Sequence, residues 1–184
     1  AHRAPPTQPR LSRSGRAQSL PEPRAIAPSA DHPLTHATDG AAAGAAAPGF
    51  RILGIDHVVL RCRDQEAMLR FYTEVLGCTL ARRNAPLGLI HLKAGRSQID
   101  LVSVEGELGR MGGRPPGLEG HNMDHVCLRI EPFDPAALRR HFQRHGIDIG
   151  AVHPHNFGAE GYGSAVYLKD PEGNAIELKG PSGG

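Results

Sequence analysis

The stretch "GIDHVVLRC" at residues 54–62 returns as "NMDHVCLRI" at residues 122–130, so His57 and His125 hold the same place in two copies of one pattern. In the first copy Val58, Leu60 and Cys62 alternate with His57, Val59 and Arg61. Side chains of a strand point to opposite faces in turn, so the apolar set predicts a face on a helix-covered core and the histidine set the opposite surface. In the second copy Val126, Leu128 and Ile130 repeat the core face, and His125, Cys127 and Arg129 repeat the other.

A helix is predicted after each of these strands. In the first, Asp64 caps a segment whose Met68, Phe71, Tyr72, Val75 and Leu76 recur at one-face spacing, and Gly77 ends it. In the second, Asp134 and Pro135 supply the cap and the first-turn proline, Leu138 and Phe142 the buried stripe, and Gly146 the stop. Shorter strands follow in both copies, "LIHLKAGRSQIDLVS" at residues 89–103 and "AVYLKDPEGNAIELKG" at residues 165–180. The second contains a turn at Asp170 to Asn174 rich in residues that suit a tight reversal. The result is an α+β fold of two βαβββ modules, residues 52–104 and 122–180, within one domain over residues 50–181. A repeat this short cannot bury both of its faces alone, so the modules are expected to pair within one chain or between two, as a two-fold homodimer.

Composition narrows the function classes. Residues 1–49 are crowded with Ala, Pro, Arg, Ser and Gly and are expected to be a disordered tail, since few apolar side chains are present to offset the entropy of ordering. A formal charge of +2 without a basic stripe argues against nucleic acid. Apolar runs are too short to span a bilayer. Three cysteines without metal-type spacing fit reduced thiols and a cytoplasmic location.

The doubled frame also suggests a site. If a local two-fold axis relates the modules, His57 and His125 converge in a concave, curved mixed sheet. The last strands of each module contribute Asp100 in "IDL" and Glu177 in "IEL". The neighbours Ile99, Leu101, Ile176 and Leu178 belong to the core face, so alternation sends both carboxylates to the histidine face. Two imidazoles and two carboxylates suit one divalent ion per site, Mn, Fe(II), Co, Ni or Zn.

With "DHVVL", "FYTEVLG", "DHVCLRI" and "VYLKDPEGNAIEL" in place, the chain resembles the vicinal oxygen chelate superfamily, which includes glyoxalase I, bleomycin-resistance proteins and extradiol dioxygenases. The resemblance covers nearly all of residues 52–180 and implies metal ligands at His57, Asp100, His125 and Glu177. The second position, usually Glu or Gln in the family, holds the shorter Asp100 here, with Gln98 on the same face as an alternative ligand.

The chemistry implied is chelation of a small substrate through vicinal oxygens, with Glu177 as the catalytic base. A lyase or isomerase is the first expectation. A non-haem Fe(II) dioxygenase, which needs only two histidines and one carboxylate, is the second, and a drug-binding protein of the resistance type the third. Alternation also brings Arg61, Arg129, His91, Tyr167 and Cys127 to the concave face as substrate-binding candidates, the arginines as a clamp for a carboxylate or phosphate. The polar residues 152–164 stand where a lid would be useful.

Overall fold

The computed structural model describes residues 50–183, and the tail expected over residues 1–49 lies outside them. The first module runs through strand β1 (His57–Cys62), helix α1 (Gln65–Arg70), which continues into a wider π-helical turn (Phe71–Val75), and strands β2 (Thr79–Asn84), β3 (Leu89–Ala94) and β4 (Ser97–Ser103). A short helix α2 (Glu107–Met111) lies in the connection. The second module repeats the order with β5 (His125–Arg129), α3 (Pro135–Arg144), β6 (His153–Gly158), β7 (Gly161–Lys169) and β8 (Ala175–Ser182).

Each module forms its own four-stranded mixed sheet, in the orders β1-β4-β3-β2 and β5-β8-β7-β6. The first and last strands of each module run parallel and the remaining pairs antiparallel, so β1 and β5 each end up as an edge strand. The expected α+β modules are therefore present, as two sheets hydrogen-bonded separately.

The local signals act as read. Asp64 Oδ1 accepts from the Ala67 N–H at 2.9 Å, and Asp134 Oδ1 accepts from the N–H groups of Ala136 and Ala137 at 2.9 and 3.1 Å. Gly77 and Gly146 stop the helices at φ values of 73° and 69°, which a side chain with a Cβ adopts only at a cost. Leu60, Ile99, Leu101 and Ile176 are almost wholly buried and pack with Met68, Tyr72 and Phe142 in one core cluster. Each such aliphatic side chain contributes about 1.5–3 kcal/mol by leaving water.

The modules are joined through the turn between β7 and β8. The buried Asp170 accepts hydrogen bonds from the N–H groups of Glu172 and Asn174, the Asn174 side-chain amide and the Tyr72 hydroxyl. Burial lifts its carboxyl above the usual carboxylate range, while these donors pull it down. Beside it, Glu172 Oε1 accepts from the backbone N–H groups of Arg63 and Asp64, each at 2.7 Å. A turn in the second module thus satisfies the start of α1 in the first. Residues 152–164, read as a lid, instead form β6 and its hairpin with β7. Among the described residues no helix is long and apolar enough to cross a membrane.

Candidate functional site

The four predicted donor residues lie on the faces that alternation assigned, and each is held through one atom. His57 Nδ1 lies 2.8 Å from Asp56 Oδ1, and His125 Nδ1 lies 2.7 Å from Asp124 Oδ1. With the proton on Nδ1, each ring would present Nε2 outward, the arrangement that carboxylates impose on metal-binding histidines. The recurrent Asp-His pair thereby gains a physical reason: the aspartate fixes the ring that follows it. Its carboxylate also lifts the His57 pKa above the ordinary imidazole value, with Asp100 adding to the effect.

The carboxylates follow the same rule. Asp100 Oδ1 accepts from Gln98 Nε2 at 2.9 Å and lies 2.8 Å from His91 Nδ1, which faces it across the β3–β4 ladder. Oδ2 takes no hydrogen bond among the described residues. In the second module Asn156 Nδ2 donates to Glu177 Oε1 at 2.8 Å and to the Tyr167 hydroxyl at 2.8 Å. The second oxygen, Glu177 Oε2, lies 3.3 Å from His125 Nε2, a spacing suited to neighbouring ligands of an ion with bonds of about 2 Å. Asp100 and Glu177 are both buried, which stiffens each arrangement.

The structure brings these residues together in two groups. His57, His91, Gln98 and Asp100 share the first sheet, and Cys127, Tyr167 and Glu177 lie on facing rungs of the second beside His125. Among the described residues no group of three or more His, Cys, Asp or Glu side chains gathers within the chain to hold a metal ion.

Among the substrate-binding candidates, His91 supports Asp100, and Tyr167 sits beside Glu177. Burial and the Glu177 carboxylate push the Tyr167 phenol up to about 12 and the Cys127 thiol up to about 11, so both face the site as neutral groups at ordinary pH. The arginines are engaged elsewhere. Arg61 donates to the carbonyls of Gly109, Gly112, Gly113 and Arg114, and Arg129 pairs with Glu160 and Glu131. Neither is poised as the anion clamp expected of it.

Three residues of this site were not singled out from the sequence. Asp56 and Asp124 were visible in the repeat itself. Asn156 had no signal, because β6 lies in a polar, glycine-rich stretch without strand alternation.

Residues 54–178 match the family model described as the glyoxalase/bleomycin resistance protein/dioxygenase superfamily. The chain belongs to this superfamily. It is 31% identical to a virulence protein of Salmonella typhimurium over 127 residues, 67% of this chain and 81% of that one. The crystal structure of that virulence protein matches with a TM-score of 0.59 at 29% identity, covering 72% of this chain and 100% of the other. A glyoxalase domain-containing protein of Mycosarcoma maydis is 29% identical over 128 residues, 69% of this chain and 68% of that one. The crystal structure of lactoylglutathione lyase from Agrobacterium tumefaciens is similar in fold, with a TM-score of 0.54 at 23% identity, covering 71% of this chain and 95% of that one.

Proposed function

We propose that the chain is a divalent-metal-dependent lyase or isomerase acting on a small substrate that chelates the ion through vicinal oxygens. The observation that carries this reading is the common design of the four donors: His57, Asp100, His125 and Glu177 are each pinned through one atom, and the second atoms of His125 and Glu177 meet each other at 3.3 Å. Ligands oriented in this way by outer hydrogen bonds are characteristic of metal sites. The donor set of two imidazoles and two carboxylates fits Zn, Ni, Co, Mn or Fe(II). Bound there, the ion would supply Lewis acidity toward the substrate oxygens.

The residues supply the rest. Asp56 and Asp124 hold the imidazoles, while Gln98 and His91 hold Asp100 through Oδ1 and leave Oδ2 without a hydrogen bond among the described residues. On this reading Gln98 supports the aspartate instead of replacing it. Glu177, steadied by Asn156, is the group that takes a proton from the substrate and returns it.

Two copies of the chain complete the site. The edge strands β1 and β5 carry His57 and His125, and Ile52, Leu53, Ile55 and Val59 around the first histidine are all exposed. Asn122 occupies both backbone groups of Arg61 at the far end of the β1 edge. A homodimer that sets β1 of one copy against β5 of another would cover this apolar run and join the half-sites.

Metal analysis after purification without chelators tests the reading: one divalent ion per chain is expected, and no uptake on reconstitution would overturn it. Mixing His57→Ala with Glu177→Ala protein tests the assembly, because mixed dimers regain one intact site only if sites form between chains. A dioxygenase is the second reading, favoured by the hydrogen bonds that occupy Asp100 Oδ1; oxygen-dependent turnover would select it.

A further inference from the structure

The second sheet holds, on the face that carries Glu177, a buried cation that the donor set does not use. Alternation along β8 puts Lys179 on the same face as Glu177, while Leu178 packs in the core and Gly180 sits against the Phe133 ring. Lys179 is only 5% exposed. Its ammonium has three donors, yet among the described residues it meets one acceptor, the Gly161 carbonyl oxygen at 2.9 Å, and no carboxylate at ion-pair distance. A cation withdrawn from water without a counter-charge is strongly unfavourable, so such groups are normally paired.

The surroundings are shaped to this side chain. A Cβ added at Gly158 would lie 3.2 Å from Lys179 Cε, and one added at Gly163 would lie 2.9 Å from Nζ. The lysine therefore rests in a close seat beside both glycines, and at Gly163 the nearer obstacle to a side chain is the Pro181 carbonyl oxygen, at 2.7 Å. Arg129, opposite it on β5, is already neutralised by Glu160 and Glu131 and does not compete for an anion. The frame does not require a lysine either, since the equivalent rung of the first module, opposite Arg61, holds Val102.

We propose that Lys179 is an oxyanion subsite that receives a carboxylate or phosphate group of the substrate. It lies two residues along β8 from Glu177, about 7 Å at the rise of a strand. The substrate is then a small acid that carries both chelating oxygens and an anionic end. The link to a chelating end rests on the reading of Glu177 as a metal ligand, whereas capture of the anion does not.

The test uses the full chain without metal and inorganic phosphate as the probe, followed through the ¹⁵N signal of the Lys179 ammonium and by calorimetry. A saturable shift is expected, with affinity at least tenfold weaker in Lys179→Met. That variant removes an unpaired buried charge and is expected to melt no lower than the parent. Glu177→Ala is expected to lose metal and keep phosphate, which separates failure of the metal site from failure of the subsite. Acetate as a second probe distinguishes the ligands: binding comparable to phosphate assigns a carboxylate, and much weaker binding assigns a phosphate. No saturable shift with either anion, or equal phosphate affinity in the parent and Lys179→Met, overturns the proposal.

Discussion

Arg61 and Arg129 occupy matching rungs at the ends of two matching strands, and they do different work. The first is wrapped by four carbonyls of the connection between the modules, and its Nε is buried without a partner. The second lies in an exposed cluster with Glu160 and Glu131. The pairs His91 with Asp100 and Tyr167 with Glu177 show the same divergence, as do Val102 and Lys179. Duplication keeps the positions of side chains, because strand alternation and register fix them. It does not keep their partners, which come from the loops and edge strands laid against each sheet. The two modules therefore read alike as frames and unlike as surfaces.

The comparison breaks first at the donors. Glu177→Ala and His125→Ala are each expected to abolish stoichiometric metal, a loss on the order of a thousandfold in affinity, roughly 4 kcal/mol, with circular dichroism unchanged. Metal retained in both variants would remove the second module from the site. Next come the arginines. Arg61→Ala is expected to destabilise by about 3 kcal/mol in urea unfolding, since it strips several charge-assisted bonds from the connection, and Arg61→Lys should not restore it because a single ammonium cannot span four carbonyls. Arg129→Ala should shift the urea midpoint far less, as loss of exposed pairs does. Similar values for the two would mean that the partners seen here do not decide their worth.

Smaller effects sharpen the first module. Asp100→Ala is expected to weaken metal more than His91→Ala or Gln98→Ala, whose loss as outer supports should amount to about 10–100-fold. The reverse order in a Co²⁺ titration would make the His91 imidazole the ligand and Asp100 its support. Tyr167→Phe is expected to have the least effect, within a few-fold on metal affinity, because Asn156 still steadies Glu177 through its own bond. A change as large as that of Glu177→Ala would place the phenol among the donors.

Much of this frame was legible because it follows from periodicity and punctuation. Asp64, Asp134 and Pro135 mark the helix starts, Gly77 and Gly146 mark the ends, and the alternation around His57 and His125 marks both faces. The parts that were not legible depend on contacts distant in sequence. The wider turn at Phe71–Val75 interrupts a pattern that reads as uninterrupted helix, and nothing local announces it. The strand β6 has no run of alternating apolar residues and owes its place to pairing with β7, so Asn156 stayed hidden in what reads as loop. Arg61 was assigned to the substrate because strand alternation gives a direction, whereas the carbonyls it meets belong to residues 109–114. Lys179 escaped notice for the same reason: its seat is made of glycines from another hairpin.

The bond from the Tyr72 hydroxyl to Asp170 spans 98 residues of chain. During synthesis at about 5–20 residues per second, the first helix would emerge roughly 5–20 s before the carboxylate that receives it. Through that interval the hydroxyl of Tyr72 and the backbone N–H groups of Arg63 and Asp64 have no native acceptor, and the core cluster lacks Val166, Leu168, Ile176 and Leu178. The nascent first module is thus a holding state that waits for the last hairpin to arrive: the turn at Asp170 to Asn174 supplies its missing acceptors, and β8, which follows, joins β5 to β7.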